Sequence, residues 1–353
     1  MSATRPALDA LLMTGRNAAD VTVASSATVL GTVWMGRHSM LAQGTAVRSV
    51  DGHVRIGSTS MVLENSVVIG RPELVTTIGH KSVFGHRCTI VGATVGDLCE
   101  IGNGSTLLPG SRLGDRVFLG ERTLVPSGMH LPDDVVAVGN PARVVRAANA
   151  ADLERLRGLR GGDLALPTDT NLTELVGRQE VGPTMGQLYA YRDKTPIVAP
   201  TARVFDSAEI TGDVVIGADS IIGAGVRIIG DSHGPVRIGA RVQILENTVL
   251  HLLPDNELVL EDDVIIGPAC MIHGCHIGAR TVVEPAATVC DSSRVGADSV
   301  VGAGAVVKQR ATFDDHAVID GFPAKQVDTV AGSPRTPLWA FQLGDLDTLG
   351  RAQ

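Results

Sequence analysis

An aliphatic residue returns every six positions through Val23, Val29, Met35, Leu41 and Val47, and again through Val204, Ile210, Ile216, Ile222 and Ile228. That spacing fits neither the roughly 3.6-residue turn of an amphipathic helix nor the simple alternation of a strand with one wet face. It fits a chain that turns after each short extended piece, so that successive anchors share one interior. The pattern occurs twice. From Ile56 and Ile238 onward the two copies stay 182 residues apart, through Val68/Leu250, Val95/Ile277, Val125/Val307 and Pro141/Pro323. Both copies also slip to five residues at the same place, from Ile90 to Val95 and from Ile272 to Ile277. A shared irregularity points to duplication of one ancestral unit.

Gly follows the anchor in Ile101-Gly102, Leu119-Gly120, Ile216-Gly217 and Ile238-Gly239, where a small residue eases the corner. Three hexads make one triangular turn, and turns stacked at about 4.8 Å pair as parallel strands. This pattern resembles the hexapeptide-repeat superfamily of left-handed parallel β-helices. The handedness is implied by the resemblance alone, since parallel crossovers are otherwise right-handed. The expected fold is an all-β solenoid: two left-handed parallel β-helices, over 1–147 and 197–330, joined by a helix and strap over 148–196 and followed by a tail over 331–353. Inward anchors are expected at Val23, Met35, Val62, Ile101 and Leu119, and at Ile216, Ile244, Val283 and Val301. Between Ala148 and Arg160, Leu153, Leu156 and Leu159 at helical spacing predict a helix laid along a β-helix and ended by Gly161-Gly162. The tail, with Trp339 and Phe341, is expected to cap the last coil or meet a neighbouring subunit.

A net charge of −8 and only ten Phe, Trp and Tyr residues leave no basic footprint or stacking platform, so nucleic acid is not an expected partner. No stretch approaches the roughly twenty apolar residues of a membrane span, and Met1–Pro6 opens no apolar leader. A cytoplasmic protein without membrane contact is expected. Cys88, Cys99, Cys270, Cys275 and Cys290 show no paired zinc-ligand spacing and are odd in number, so they read as small buried apolar groups.

Three histidines are divided between the copies. His251 follows the anchor Leu250 and His273 follows Ile272, so both occupy outward slots of one face. Their 22-residue separation is one eighteen-residue turn plus four, the excess falling in the loop from Leu252 to Val259. Adjacent coils bring two imidazoles within reach of one zinc ion, while catalytic zinc commonly takes three protein ligands.

The second copy resembles a γ-class carbonic anhydrase over nearly its whole length, through Gly230-Asp231, His251, Met271-Ile272-His273-Gly274-Cys275-His276-Ile277-Gly278 and Gly321-Phe322-Pro323-Ala324-Lys325. That family binds its metal through three histidines at a trimer interface, the middle one supplied by a neighbour. Here the middle position is Pro268, which offers no side-chain donor. Subtracting 182 places Ile69, His86 and Val91 at the corresponding positions of the first copy, which keeps only the middle ligand. The resemblance thus implies a composite zinc site of His86, His251 and His273, with iron or cobalt as alternative metals, and a dry counterpart formed by Ile69, Val91 and Pro268. The family's interface Arg survives only as Arg48, and the Gln near its metal is replaced by Leu63 and Leu245, followed by Glu64 and Glu246.

The resemblance implies a zinc-dependent lyase or hydratase of carbonic-anhydrase type, with either carbon dioxide or another small carbonyl or acyl molecule as its substrate. Glu246, Asp255 and Glu257 are the candidates for proton transfer near His251. A homo-oligomer is expected, a trimer by the resemblance. Gly139-Asn140-Pro141-Ala142-Arg143 and Gly302-Ala303-Gly304-Ala305 also resemble hexapeptide-repeat acyltransferases, which use coenzyme A and a histidine base; His80, His86 and His130 are the candidates for that base. The third reading is a scaffold built from copies whose metal sites have decayed.

Overall fold

The computed structural model describes residues 20–231 and 234–352. The opening residues Met1–Pro6, expected to carry no leader, lie outside them. The chain forms two compact units that divide between Arg178 and Gln179.

In the first unit most hexads become a strand of two to four residues followed by a corner, while Thr28–Gly36 and Ala46–Ile56 run on as longer strands. Anchors stack on anchors: Val23 pairs with Leu41, Leu41 with Val62, Val62 with Phe84, Phe84 with Ile101 and Ile101 with Leu119, all in parallel register. Each of these side chains is buried, as the period requires. The corners need left-handed backbone, and Asn65 (φ 57°) and its counterpart Asn247 (φ 56°) are of a type that tolerates it. The solenoid ends when Arg143–Ala147 turns back antiparallel on Val135–Val138 and covers the open strand edge.

A helix then runs over Ala150–Leu159, capped by Asn149, whose side chain accepts from the N–H groups of Ala151 and Asp152. Of the three leucines expected to face the solenoid, Leu156 is fully buried but Leu159 is 55% exposed. Arg160 docks the helix end in its place. Its Nη2 lies 2.5 Å from Glu100 Oε1 and its Nε donates to the Lys81 carbonyl at 2.7 Å. Leu172–Gly177 continues as an antiparallel strand on Thr28–Gly36, so this part of the strap is ordered.

Among the described residues the second unit forms one ten-stranded and two seven-stranded sheets, the three faces of a parallel β-solenoid. Ile216, Ile244, Val283 and Val301 are all buried in its core. The five-residue slip shortens one coil to 17 residues, pairing Val259 with His276 and Leu260 with Ile277. The tail lies along this unit's own ten-stranded sheet. Trp339, Ala340 and Phe341 are buried there, and Gly350–Ala352 pairs with Gln179–Gly182. Cys88, Cys99, Cys270 and Cys275 are buried free thiols, and burial pushes the Cys270 pKa up to about 12. Among the described residues no helix is long and apolar enough to cross a membrane.

Val283 sits between Ile266 and Val301 in the core column. Val283→Ala should therefore cost about 1–3 kcal/mol, read as a lower urea midpoint at unchanged slope.

Candidate functional site

In the second unit the strands Val249–His251 and Met271–His273 pair in parallel, with Leu250 opposite Ile272 and His251 opposite His273. Leu250 and Ile272 are fully buried, so the residue after each points outward. The imidazole centroids lie 5.6 Å apart with planes at 83°. The loop after His251 absorbs the excess length without disturbing this register.

A residue that sequence reasoning missed sits behind the pair. Asp291 is buried, and its Oδ2 lies 3.2 Å from His273 Nδ1. Its Oδ1 accepts from the Leu253 N–H at 3.0 Å and from Asn256 Nδ2 at 3.3 Å, tying the loop to the same carboxylate. Asn256 Nδ2 also donates to the Gly274 carbonyl at 2.6 Å. A carboxylate at Nδ1 favours the tautomer with its proton there, leaving Nε2 as the nitrogen with a lone pair. In the sequence Asp291 stands one position past Cys290, the residue in register with His273, and so reads as a corner residue.

Cys290 follows Val289, the partner of Ile272, and so takes the next slot in the column of His251 and His273. Burial, and then the charge of Asp291, raise its thiol pKa and keep it neutral. Among the described residues no three His, Cys, Asp or Glu side chains gather as a metal-holding group.

The remaining candidates are spread over both units. Pro268 is buried in the corner after Ile265–Ile266. In the first unit Ile69 pairs with Val91 in the register that His251 and His273 keep in the second, and both are fully buried. His86, one corner beyond Val83–Phe84, is half exposed, with Nδ1 2.7 Å from Glu64 Oε2. Arg48 is fully buried beside Ile69. Leu245 and Glu246 are fully buried, whereas Asp255 and Glu257 are exposed on the loop. His80 accepts the Ser58 N–H through Nδ1 at 3.0 Å, and His130 is exposed.

Comparison with known proteins follows the same lines. The family model described as the hexapeptide repeat of succinyl-transferase matches residues 75–109. A carbonic anhydrase of Geobacillus kaustophilus is 36% identical over 109 residues, covering 31% of this chain and 59% of that protein. The carnitine operon protein CaiE of Escherichia coli is 31% identical over 143 residues, covering 40% of this chain and 72% of CaiE. The chain belongs to the hexapeptide-repeat superfamily, among its γ-carbonic-anhydrase-like members. An uncharacterized transferase of Bacillus subtilis, YtoA, is 44% identical over 90 residues, 26% of this chain and 52% of YtoA. The superfamily relatives of this chain thus carry both anhydrase and transferase names.

Proposed function

We propose that this γ-carbonic-anhydrase-like protein is a zinc-dependent lyase or hydratase acting on a small carbonyl or acyl substrate other than carbon dioxide. The observation that carries this reading is the His251–His273 pair on adjacent coils, with Asp291 at His273 Nδ1. Two imidazoles, one with its tautomer set by a carboxylate, are donors that suit zinc, with iron or cobalt as alternatives. His86 is the third donor in this reading. Glu64 at its Nδ1 leaves Nε2 available in the same way. Bound zinc supplies Lewis acidity, which brings the pKa of water down to about 7.

The chain's own residues shape the rest. Leu245 replaces a polar group and makes the surroundings apolar, which favours a substrate with a hydrocarbon portion over carbon dioxide. Glu246, buried next to Leu245, and Asp255 and Glu257, on the exposed loop after His251, are the proton-transfer groups in this reading. Metal analysis of protein purified without chelator, with hydration and esterase assays on the same sample, tests the reading; a protein without zinc or activity refutes it. Light scattering on that sample measures the expected homo-oligomer, a trimer by resemblance.

Asp291→Asn should weaken zinc binding about 10–100-fold while leaving the fold intact, measured by competition with a chromogenic chelator. Acyl transfer is the second reading, favoured by the family-model match over residues 75–109. Saturable coenzyme A binding in a protein free of metal would move it ahead.

A further inference from the structure

The tail crosses the second unit's ten-stranded sheet from its final coil to its first, and its contacts descend in order. His316 Nδ1 lies 3.1 Å from the Gly332 carbonyl, and Ser333 Oγ donates to Asp298 Oδ1 at 2.5 Å. Trp339 Nε1 donates to Glu284 Oε2 at 3.2 Å. Gln243 holds the Phe341 backbone at both ends, donating to its carbonyl at 3.1 Å and accepting its N–H at 2.9 Å. The Phe341 ring stacks on Phe205 at 5.7 Å, and the strand Gly350–Ala352 closes on Gln179–Gly182.

Glu284 is the anomalous group beneath this strap. It follows the anchor Val283 in an outward slot whose neighbours in the adjoining coils are Gly267 and Gly302, neither of them ionisable. Burial pushes its pKa up to about 7, the Trp339 hydrogen bond opposing this more weakly. The titratable groups around it bring no positive charge. Cys270, whose Sγ lies 3.2 Å from the Glu284 carbonyl, stays neutral with a pKa of about 12. Asp320 stands over Gly302, and Glu246 occupies the corner beneath Ala269. From the strap comes Asp345, which accepts the Gln342 N–H at 2.9 Å. Among the described residues an ionised Glu284 meets no cation, and a carboxylate partly covered by the strap without one is disfavoured.

We propose that the strap is a pH-dependent clamp, lying down on the sheet when Glu284 is protonated and lifting when Glu284 ionises, which uncovers Phe205 and Gln243. The sign follows from linkage. A carboxyl whose pKa is about 7 under the strap and 4.5 when free stabilises docking fully below pH 4.5. That stabilisation is lost progressively as the pH climbs, and is gone above about 7. The docking constant falls about tenfold per pH unit across this window, a few hundredfold in all. The clamp is independent of any metal.

The test uses the full-length protein labelled with 5-fluorotryptophan, whose two tryptophans, Trp34 and Trp339, give separate fluorine resonances assigned through Trp339→Phe. Between about pH 5 and 8.5 the Trp339 resonance should move to its solvent-exposed position while Trp34 stays fixed. In Glu284→Gln the Trp339 resonance should remain at its buried position throughout. Gln243→Ala, which loosens the strap without touching the carboxyl, should shift the midpoint to lower pH. A Trp339 resonance that does not titrate, that titrates identically in Glu284→Gln, or whose midpoint is unmoved in Gln243→Ala overturns the proposal.

Discussion

Replacing His86, His251 or His273 by Ala should remove bound zinc and any hydration or esterase activity together. The proposed three-histidine site would have no spare donor, so each loss should weaken zinc binding by well over tenfold. Pro268→Ala should change neither property, because neither residue offers a donor. Inductively coupled plasma analysis of the four variants, purified side by side, reads this directly. Zinc kept in His86→Ala but lost in the other two histidine variants would place the third donor elsewhere. Zinc kept in all three would remove the metal reading, and the acyltransferase and scaffold readings would then lead.

Phe84→Ala should destabilise the first unit by about 3–5 kcal/mol, the largest effect expected from a single core substitution here. Phe84 is fully buried between Val62 and Ile101, in the column of anchors that holds successive coils together. Its ring also fills the coil that turns directly into Gly85-His86. The cavity left by Ala has no flexible neighbour to fill it, since every adjoining anchor is fixed by its own strand pairing. Urea unfolding followed through Trp34, which lies in the first unit, should show an earlier midpoint with an unchanged slope. An unchanged midpoint would mean that this column does not carry the unit's stability.

The solenoid was legible because its period is a direct image of its geometry: each anchor points inward, and Val23, Met35, Ile216 and Val301 are buried for that reason. The pairing of His251 with His273 was legible by the same arithmetic, once the loop excess was assigned to one place. Asp291 was missed because it lies just past the column slot that Cys290 takes, where an acid looks like any corner charge. The tail was illegible because its contacts have no period. Glu284 takes an outward slot just after an anchor, and nothing in that pattern announces Trp339, which reaches it from 55 residues further along. Leu159 misled for a related reason, since a polar docking residue, Arg160, took over the end of the helix.

The division of labour between inward and outward slots bears on how a duplicated chain diverges. Anchors such as Leu250 and Ile272 hold the coils, while the residues just after them, His251 and His273, contribute little to that packing. The corresponding slots of the first unit hold hydrocarbon, Ile69 and Val91, in the same strand register. Outward slots in such a scaffold can therefore differ between copies without disturbing the architecture, so the two copies can carry different chemistry and both still fold.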